Sequence, residues 1–191
     1  MRHRREGGPV GGRSREGHVR EPERLDPVAG RPLDGEGGLR EGVGLAREEL
    51  RRRGYDATGF DVSPRAVERC RERFPESTAD YRVADLFDAP DAWTGAFDLV
   101  VESYTLQALP PAERDRAVDP VADFLAPGGT LVVVCRGRDT DEEAGRLPWP
   151  LTREQVLAFE AAGLELLTFD DFSDDREPPV RRFRAVFRRP A

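Results

Sequence analysis

The sequence predicts an α/β fold, a doubly wound and mostly parallel β-sheet with an antiparallel strand near the C-terminus. Three observations support this fold class. After residue 45, apolar segments of strand length alternate with segments of helical pattern. Most of those apolar segments are continuous, as expected for strands that are covered on both faces. The last two have no helix between them, which favours an antiparallel pair.

Helix caps define the first elements of this pattern. Residues 46–53 (AREELRRR) are predicted to form a helix that stops at Gly54, because glycine favours the C-terminal cap. Residues 55–60 follow as a short strand. Ser63 is a good N-cap residue and is followed by proline, which suits the first helical position. We therefore expect the next helix over residues 64–74.

The middle of the chain continues the alternation. Residues 81–84 and 97–101 are strand patterns, of which FDLVV at 97–101 is the clearer. A helix is predicted over 111–125, and Pro120 is expected to kink or divide it because proline removes a helical hydrogen bond. Residues 130–135 (TLVVVC) are predicted to form a buried strand whose cysteine belongs to the core.

The C-terminal third begins with a capping box. Thr152 and Gln155 have the spacing of this motif, which predicts a helix to about residue 162. Residues 164–169 and 182–187 are predicted to be the two final strands. The RRFR segment at the start of the last strand alternates charged and apolar residues, so we expect its arginines to lie on a solvated face.

Composition excludes several classes of protein. The chain has 191 residues and a formal net charge of −7, which argues against a nucleic-acid partner. No apolar run reaches the roughly 18 residues of a membrane span, and no signal peptide pattern is present. Two cysteines are too few for a disulfide framework or a zinc site. These features predict a soluble, cytoplasmic protein with no metal, membrane or nucleic-acid partner.

The N-terminal part of the chain differs from the rest. Residues 1–44 hold 11 of the 19 glycines and no aromatic residue. Such a segment cannot bury enough apolar surface to offset the entropy of ordering it. The whole chain also lacks Lys, Ile and Asn, which indicates a GC-rich gene. We predict a low-complexity extension over 1–40, either disordered or translated from a shifted reading frame, and an α/β domain over 41–191.

Acidic residues follow three of the predicted parallel strands. These are Asp61, Asp85 and Glu102. Sheets of this class bind ligands at the carboxyl ends of their strands, so the three acids are predicted to meet at one site. Asp61 lies 17 residues after Gly44, near the spacing of an acid that accepts hydrogen bonds from ribose hydroxyls.

Several segments together resemble a known family. They are GVGLAREELRRRGYDATGFDVSP, VADLFD, FDLVVESYTLQALP, FLAPGGTLVVV and LPWPLTREQ. Over about 150 residues the chain resembles class I S-adenosylmethionine (SAM)-dependent methyltransferases, in particular small bacterial members of the thiopurine and tellurite-resistance types. The resemblance implies a Rossmann-like fold, SAM as cofactor and in-line methyl transfer to a small-molecule acceptor.

The resemblance also implies roles for individual residues. The cofactor would be held by Gly42 and Gly44 in the loop, Asp61 at the ribose, Val62, Asp85 and Leu86 around the adenine, and Glu102 at the methionine end. On the acceptor side it implies Tyr104, Gln107 and Trp149. No catalytic residue is assigned, because methyl transfer from a sulfonium requires a base only when the acceptor must lose a proton.

The segment before residue 44 departs from the family pattern. The first strand would fall on residues 35–37, which lack apolar content, with Gly38 where the family has an acid and Arg40 where it has a glycine. A reading-frame error near codon 40 would explain this, and resequencing the locus would test it. A methyltransferase-like fold with a defective cofactor loop is therefore an alternative function, and an NAD(P)-dependent oxidoreductase is a less favoured one. The methyl acceptor and the oligomeric state stay open.

Overall fold

The computed structural model describes residues 52–54, 56–78 and 80–191. Two short 3-10 turns, Leu86–Asp88 and Asp91–Trp93, lie between β2 and β3. In chain order the helices and strands are β1 (Thr58–Asp61), α1 (Pro64–Arg73), β2 (Asp80–Val83), β3 (Phe97–Ser103), α2 (Thr105–Ala108), α3 (Pro111–Asp123), β4 (Leu125–Arg136), α4 (Arg153–Ala161), β5 (Glu165–Ser173) and β6 (Arg181–Arg188).

Strand pairing confirms the predicted fold class. β1 pairs with β2 and β3 pairs with β4, both in parallel, and helices connect the strands of each pair. β6 lies between β4 and β5 and is antiparallel to both, as predicted for two final strands with no helix between them. Among the described residues, the strands form two separate sheets, β1-β2 and β3-β4-β6-β5.

The helix starts follow the predicted caps. The Ser63 hydroxyl accepts a hydrogen bond from the Ala66 N–H at the start of α1 (3.4 Å). At the start of α4, Thr152 and Gln155 form both hydrogen bonds of the capping box. These bonds satisfy amide groups that a helix N-terminus leaves without an intrahelical partner.

One predicted boundary differs in the structure. Pro120 does not divide α3, which continues to Asp123. The lost hydrogen bond is offset because the residues around Pro120 bury a continuous apolar face against the core, formed by Ala117, Val118, Val121 and Ala122.

β4 also begins earlier than predicted. It starts at Leu125, and its pairing with β3 shifts register between Phe97 and Leu99. The shift accommodates the Pro-Gly-Gly turn, in which Gly128 has a φ of +78°.

The core lies on the larger sheet. β4 contributes Leu131, Val133 and Cys135, all fully buried, so the predicted core position of this cysteine is confirmed. β6 contributes Phe187, whose ring lies 5.6 Å from that of Phe159 on α4. The two central strands, β4 and β6, are paired on both edges, and we expect this region to be the most stable part of the described fold.

β1 contacts the rest of the domain through aromatic packing. Phe60 lies 5.1 Å from Trp93 and 5.9 Å from Phe124, measured between ring centroids. The strand has four residues and, among the described residues, pairs on one edge only. A two-stranded sheet of this length is marginally stable without such packing.

This difference predicts uneven hydrogen exchange. We expect the backbone amides of β1 and β2 to exchange about 100-fold faster than those of β4 and β6, because they open without unfolding the core. Hydrogen–deuterium exchange with mass spectrometry on the full chain would measure it. Equal protection of β1 and β4 would contradict the prediction and would show that β1 opens only together with the core.

Candidate functional site

Among the described residues, a large cleft opens between the two sheets. Its volume is about 1010 Å³, and it is lined by β1, by β3 and by the segments that follow β1, β2 and β3. Among the described residues, β1 and β3 have no strand partner on their cleft side. Asp61, Asp85 and Glu102 all line this cleft. The structure therefore brings together the three acids that the sequence placed at strand ends.

Asp61 ends β1 and is partly buried. Its Oδ1 accepts a hydrogen bond from the backbone N–H of Ser63 at 2.7 Å, which holds the carboxylate at the start of α1. The next residue, Val62, is 67% exposed and lines the cleft. An exposed valine beside a fixed carboxylate offers both an apolar surface and a hydrogen-bond acceptor to a ligand.

Asp85 follows β2 and is exposed at the cleft. Its Oδ1 accepts a hydrogen bond from the N–H of Phe87 at 2.9 Å and so caps the short turn that starts at Leu86. Leu86 is buried in the core cluster and also lines the cleft. The Phe87 ring is 38% exposed at the same wall, where the sequence indicated no aromatic contact.

Glu102 is the most deeply buried acid of the cleft, with 4% of its surface exposed. Its Oε1 accepts a hydrogen bond from the N–H of Leu106 (3.1 Å) at the start of α2. Its Oε2 is buried and has no hydrogen-bond partner among the described residues. Burial raises the pKa of Glu102 to about 7, although the N–H groups of Leu106 and Thr105 act in the opposite direction.

Tyr104 lines the cleft and belongs to a buried polar cluster. It adopts a left-handed backbone conformation, with a φ of +69°. Its hydroxyl accepts a hydrogen bond from Arg182 on β6, and the guanidinium also lies 5.5 Å from the Tyr104 ring. The Nε and Nη2 groups of Arg182 donate to Asp174 Oδ2 at 3.0 and 2.9 Å. The phenol is thus held by a cation that is itself paired.

The burial of Arg182 corrects one sequence expectation. The RRFR segment was expected to present its arginines to solvent, but Arg182 is only 7% exposed. It is buried because two residues that are distant in sequence contact its guanidinium, Asp174 after β5 and Tyr104 after β3. A charge in an alternating strand gives no local signal of such distant partners.

Gln107 and Trp149 contact each other rather than remaining separate. Gln107 is fully buried; its Nε2 donates to the Trp149 carbonyl at 2.9 Å, and its Oε1 accepts from the Arg136 N–H at 2.8 Å. The Trp149 N–H donates to the Gln107 carbonyl at 3.0 Å. This network fastens the loop before α4 to the end of β4. The acceptor-side roles predicted for both residues stay predictions.

Other features bear on what this site could hold. Gly42 and Gly44 of the predicted cofactor loop lie outside the described residues. Within the described ranges, no group of three or more His, Cys, Asp or Glu side chains is arranged to hold a metal ion. No helix in that part of the chain is both long and apolar enough to cross a bilayer.

Comparison with known proteins identifies a matching domain. Residues 41–133 match the family described as a methyltransferase domain. The chain is 33% identical over 105 residues to carboxy-S-adenosyl-L-methionine synthase of Yersinia pestis (strain Pestoides F). The aligned region covers 53% of this chain and 38% of that protein. The chain thus spans well under half the length of the curated relatives it matches.

Solved structures have the same fold. A SAM-dependent methyltransferase of Methanosarcina mazei aligns with a TM-score of 0.64 at 20% identity, over 75% of this chain and 86% of that one. The N-methyltransferase NodS of Bradyrhizobium japonicum, in complex with S-adenosyl-L-homocysteine, aligns with a TM-score of 0.58 at 25% identity, over 70% and 66%. With the domain match, these structures confirm the predicted resemblance to class I SAM-dependent methyltransferases at the level of the fold.

Proposed function

For a chain that carries a methyltransferase domain over residues 41–133 and has the fold of class I SAM-dependent methyltransferases, we propose a cytoplasmic enzyme that methylates a small molecule. SAM would bind in the cleft between β1 and β3. The observation that carries this proposal is the convergence of Asp61, Asp85 and Glu102 on one cleft from the ends of three strands. The curated relatives are carboxy-S-adenosyl-L-methionine synthases, and the product in that name is a derivative of SAM, which also supports this ligand.

The residues present fit this cofactor in size and in donor chemistry. The space that the described residues enclose, about 1010 Å³, is large enough for a nucleoside with an amino-acid tail. Asp61 keeps its second carboxylate oxygen for vicinal ribose hydroxyls, and Asp85 is exposed for the adenine amino group. Val62 and Leu86 would flank the adenine ring. Glu102 Oε2, which has no hydrogen-bond partner among the described residues, would face the positively charged methionine end of SAM.

Positioning is the main task left to the protein. When bound, SAM supplies a methyl group on a positively charged sulfur, which an acceptor atom displaces in line. The chain would contribute alignment and exclusion of water, which supply much of the rate in such displacements. The Tyr104 phenol, fixed by Arg182, would form a rigid wall for the acceptor beside the methionine end. Gln107 and Trp149 would support the same side of the cleft.

A second candidate function follows from the division of the sheet. Among the described residues no strand lies between β1 and β3, and the sequence shows a degenerate first strand and glycine loop before residue 44. A methyltransferase-like protein that binds SAM weakly or not at all would have these features. The oxidoreductase alternative has less support, since the matched domain is that of methyltransferases.

Replacing Asp61 by alanine tests the cofactor site directly. We expect SAM to bind about 10- to 100-fold more weakly, because each hydrogen bond to a charged group contributes about 1.5–3 kcal/mol. Isothermal titration calorimetry would measure the affinity, with Asp119→Ala as a matched control. Asp119 is exposed on α3 and does not line the cleft. Equal affinity in the Asp61 variant would place the ribose elsewhere.

Calorimetry of the unmodified chain separates the two candidate functions. Saturable heat with SAM at micromolar concentrations supports the methyltransferase. No heat at high micromolar concentrations would rule out the methyltransferase and leave the impaired fold.

A further inference from the structure

Glu102 is a buried carboxylate with half of its acceptor capacity unused. One oxygen is bound to the Leu106 N–H, whereas Oε2 has neither a hydrogen bond nor an ion pair among the described residues. The side chain lines the cleft at the end of β3. An isolated charge in such a place is costly, so the group holds a proton until a cation compensates it.

The charged groups packed around Glu102 do not supply that cation. On β6, Arg182 is committed to Asp174 and to Tyr104. On α3, the Arg114 guanidinium donates to the carbonyl oxygens of Leu106 and Leu109.

The other neighbouring elements bring no compensating charge either. On β4, the Cys135 thiol has a raised pKa, chiefly through burial and further through the charge of Glu102. Arg136, at the end of the same strand, has a buried Nε without a partner and no ion pair with Glu102 among the described residues. α2 (TLQA) carries no titratable side chain. Among the described residues, no cation is therefore left to pair with this carboxylate, and a cationic group that enters the cleft would supply the missing charge.

We propose that the unpartnered oxygen of Glu102 pairs with the cationic methionine end of SAM, and that this pairing releases the proton that Glu102 carries in the ligand-free protein. The inference rests on the proposed function, because it takes SAM as the ligand.

The coupling makes SAM affinity depend on pH in a defined direction. With a pKa of about 7, Glu102 is mostly protonated below neutrality, and binding must first ionise it. If the bound pair holds that pKa below about 5, affinity falls about 8-fold from pH 7.5 to pH 6. Binding at pH 6.5 releases about 0.8 protons, and at pH 8 about 0.1.

Calorimetry in two buffers tests the inference. SAM is titrated into the full chain at pH 6.5 in phosphate and in imidazole, whose protonation enthalpies differ, so that the difference in heat counts the protons released. The same titrations use Glu102→Gln, which removes the ionisation, and Glu160→Gln, an exposed control on α4. We expect release with the unmodified chain and with Glu160→Gln, and none with Glu102→Gln. The amino group of SAM titrates alike in all three.

S-adenosylhomocysteine identifies which cation is bound. Release with both ligands assigns the contact to the ammonium group, and release with SAM alone assigns it to the sulfonium. SAM binding without proton release at pH 6.5, or unchanged release with Glu102→Gln, would overturn this inference and leave the proposed function standing. Absence of any SAM binding would overturn both. The measurement on the unmodified chain does not depend on the folding of any variant.

Discussion

Replacing Asp174 by alanine is expected to lower the free energy of unfolding by about 3 kcal/mol, because it leaves the charge of Arg182 buried without its partner. The Arg182 side chain is 8% exposed and donates two hydrogen bonds to Asp174 Oδ2. Asp174 also accepts from the N–H groups of Val180 and Arg176, which shape the turn between β5 and β6. Urea denaturation would measure the loss.

Two further variants make this expectation specific. Asp175→Ala changes the adjacent, exposed aspartate and should alter stability by less than about 0.5 kcal/mol. Combining Asp174→Ala with Arg182→Met removes both charges and should recover part of the loss. A single variant as stable as the unmodified protein, or a double variant that is still less stable than the single one, would contradict a paired buried charge.

The effect of Asp174 on stability has a pH dependence opposite in sign to that expected for Glu102. Burial alone would raise the pKa of Asp174, but the bonds from Val180 and Arg182 together hold it below its ordinary value. Because its pKa is lower in the folded state, this carboxylate stabilises the protein at pH values above its unfolded-state pKa. The stabilisation is lost as the pH falls through the folded-state pKa. Its contribution therefore disappears only below about pH 4, well outside the range in which Glu102 titrates.

Glu102 is expected to destabilise the ligand-free protein at and above neutral pH. Its pKa rises from 4.5 to about 7 on folding, so the folded state holds the proton more tightly than the unfolded state. Stability then decreases as pH rises from about 4.5 to 7, by about 3 kcal/mol for this group. Above pH 7 both states are ionised and the loss is complete.

Urea denaturation between pH 5 and pH 8 would measure this effect. The difference in stability between Glu102→Gln and the unmodified protein should grow with pH in favour of the variant, whereas Glu160→Gln should follow the unmodified protein throughout. Parallel curves for Glu102→Gln and the unmodified chain would show that Glu102 has an ordinary pKa. A group that lowers stability and yet lines the cleft is consistent with a role in binding rather than in folding.

Sequence pattern was a sound guide to the elements after residue 56. Ser63 and the Thr152–Gln155 capping box marked helix starts because capping is a local interaction between residues two or three apart. The two final strands pair antiparallel because no connecting helix separates them. Of the two effects expected of Pro120, division of the helix is absent, since burial of one face of α3 outweighs a missing hydrogen bond, whereas a kink stays a prediction.

Part of the candidate site was also predictable. Asp61, Asp85 and Glu102 line one cleft because each follows the carboxyl end of a parallel strand, although the described strands belong to two sheets. Their position along the chain was enough to expect that. The exposure of Phe87 and the interior position of Gln107 could not be foreseen, because neither side chain belongs to a periodic pattern.

The sequence by itself determined the fold class, the order of the elements and the position of three acids after parallel strands, because these depend on periodicity, caps and chain direction. Only the tertiary structure decided the electrostatics. Burial raises the pKa of Glu102 to about 7. Arg182 is buried against Asp174 and Tyr104, through contacts between residues up to 78 positions apart in the chain. Desolvation depends on everything packed around a group, and this is a property of the folded chain rather than of any local segment.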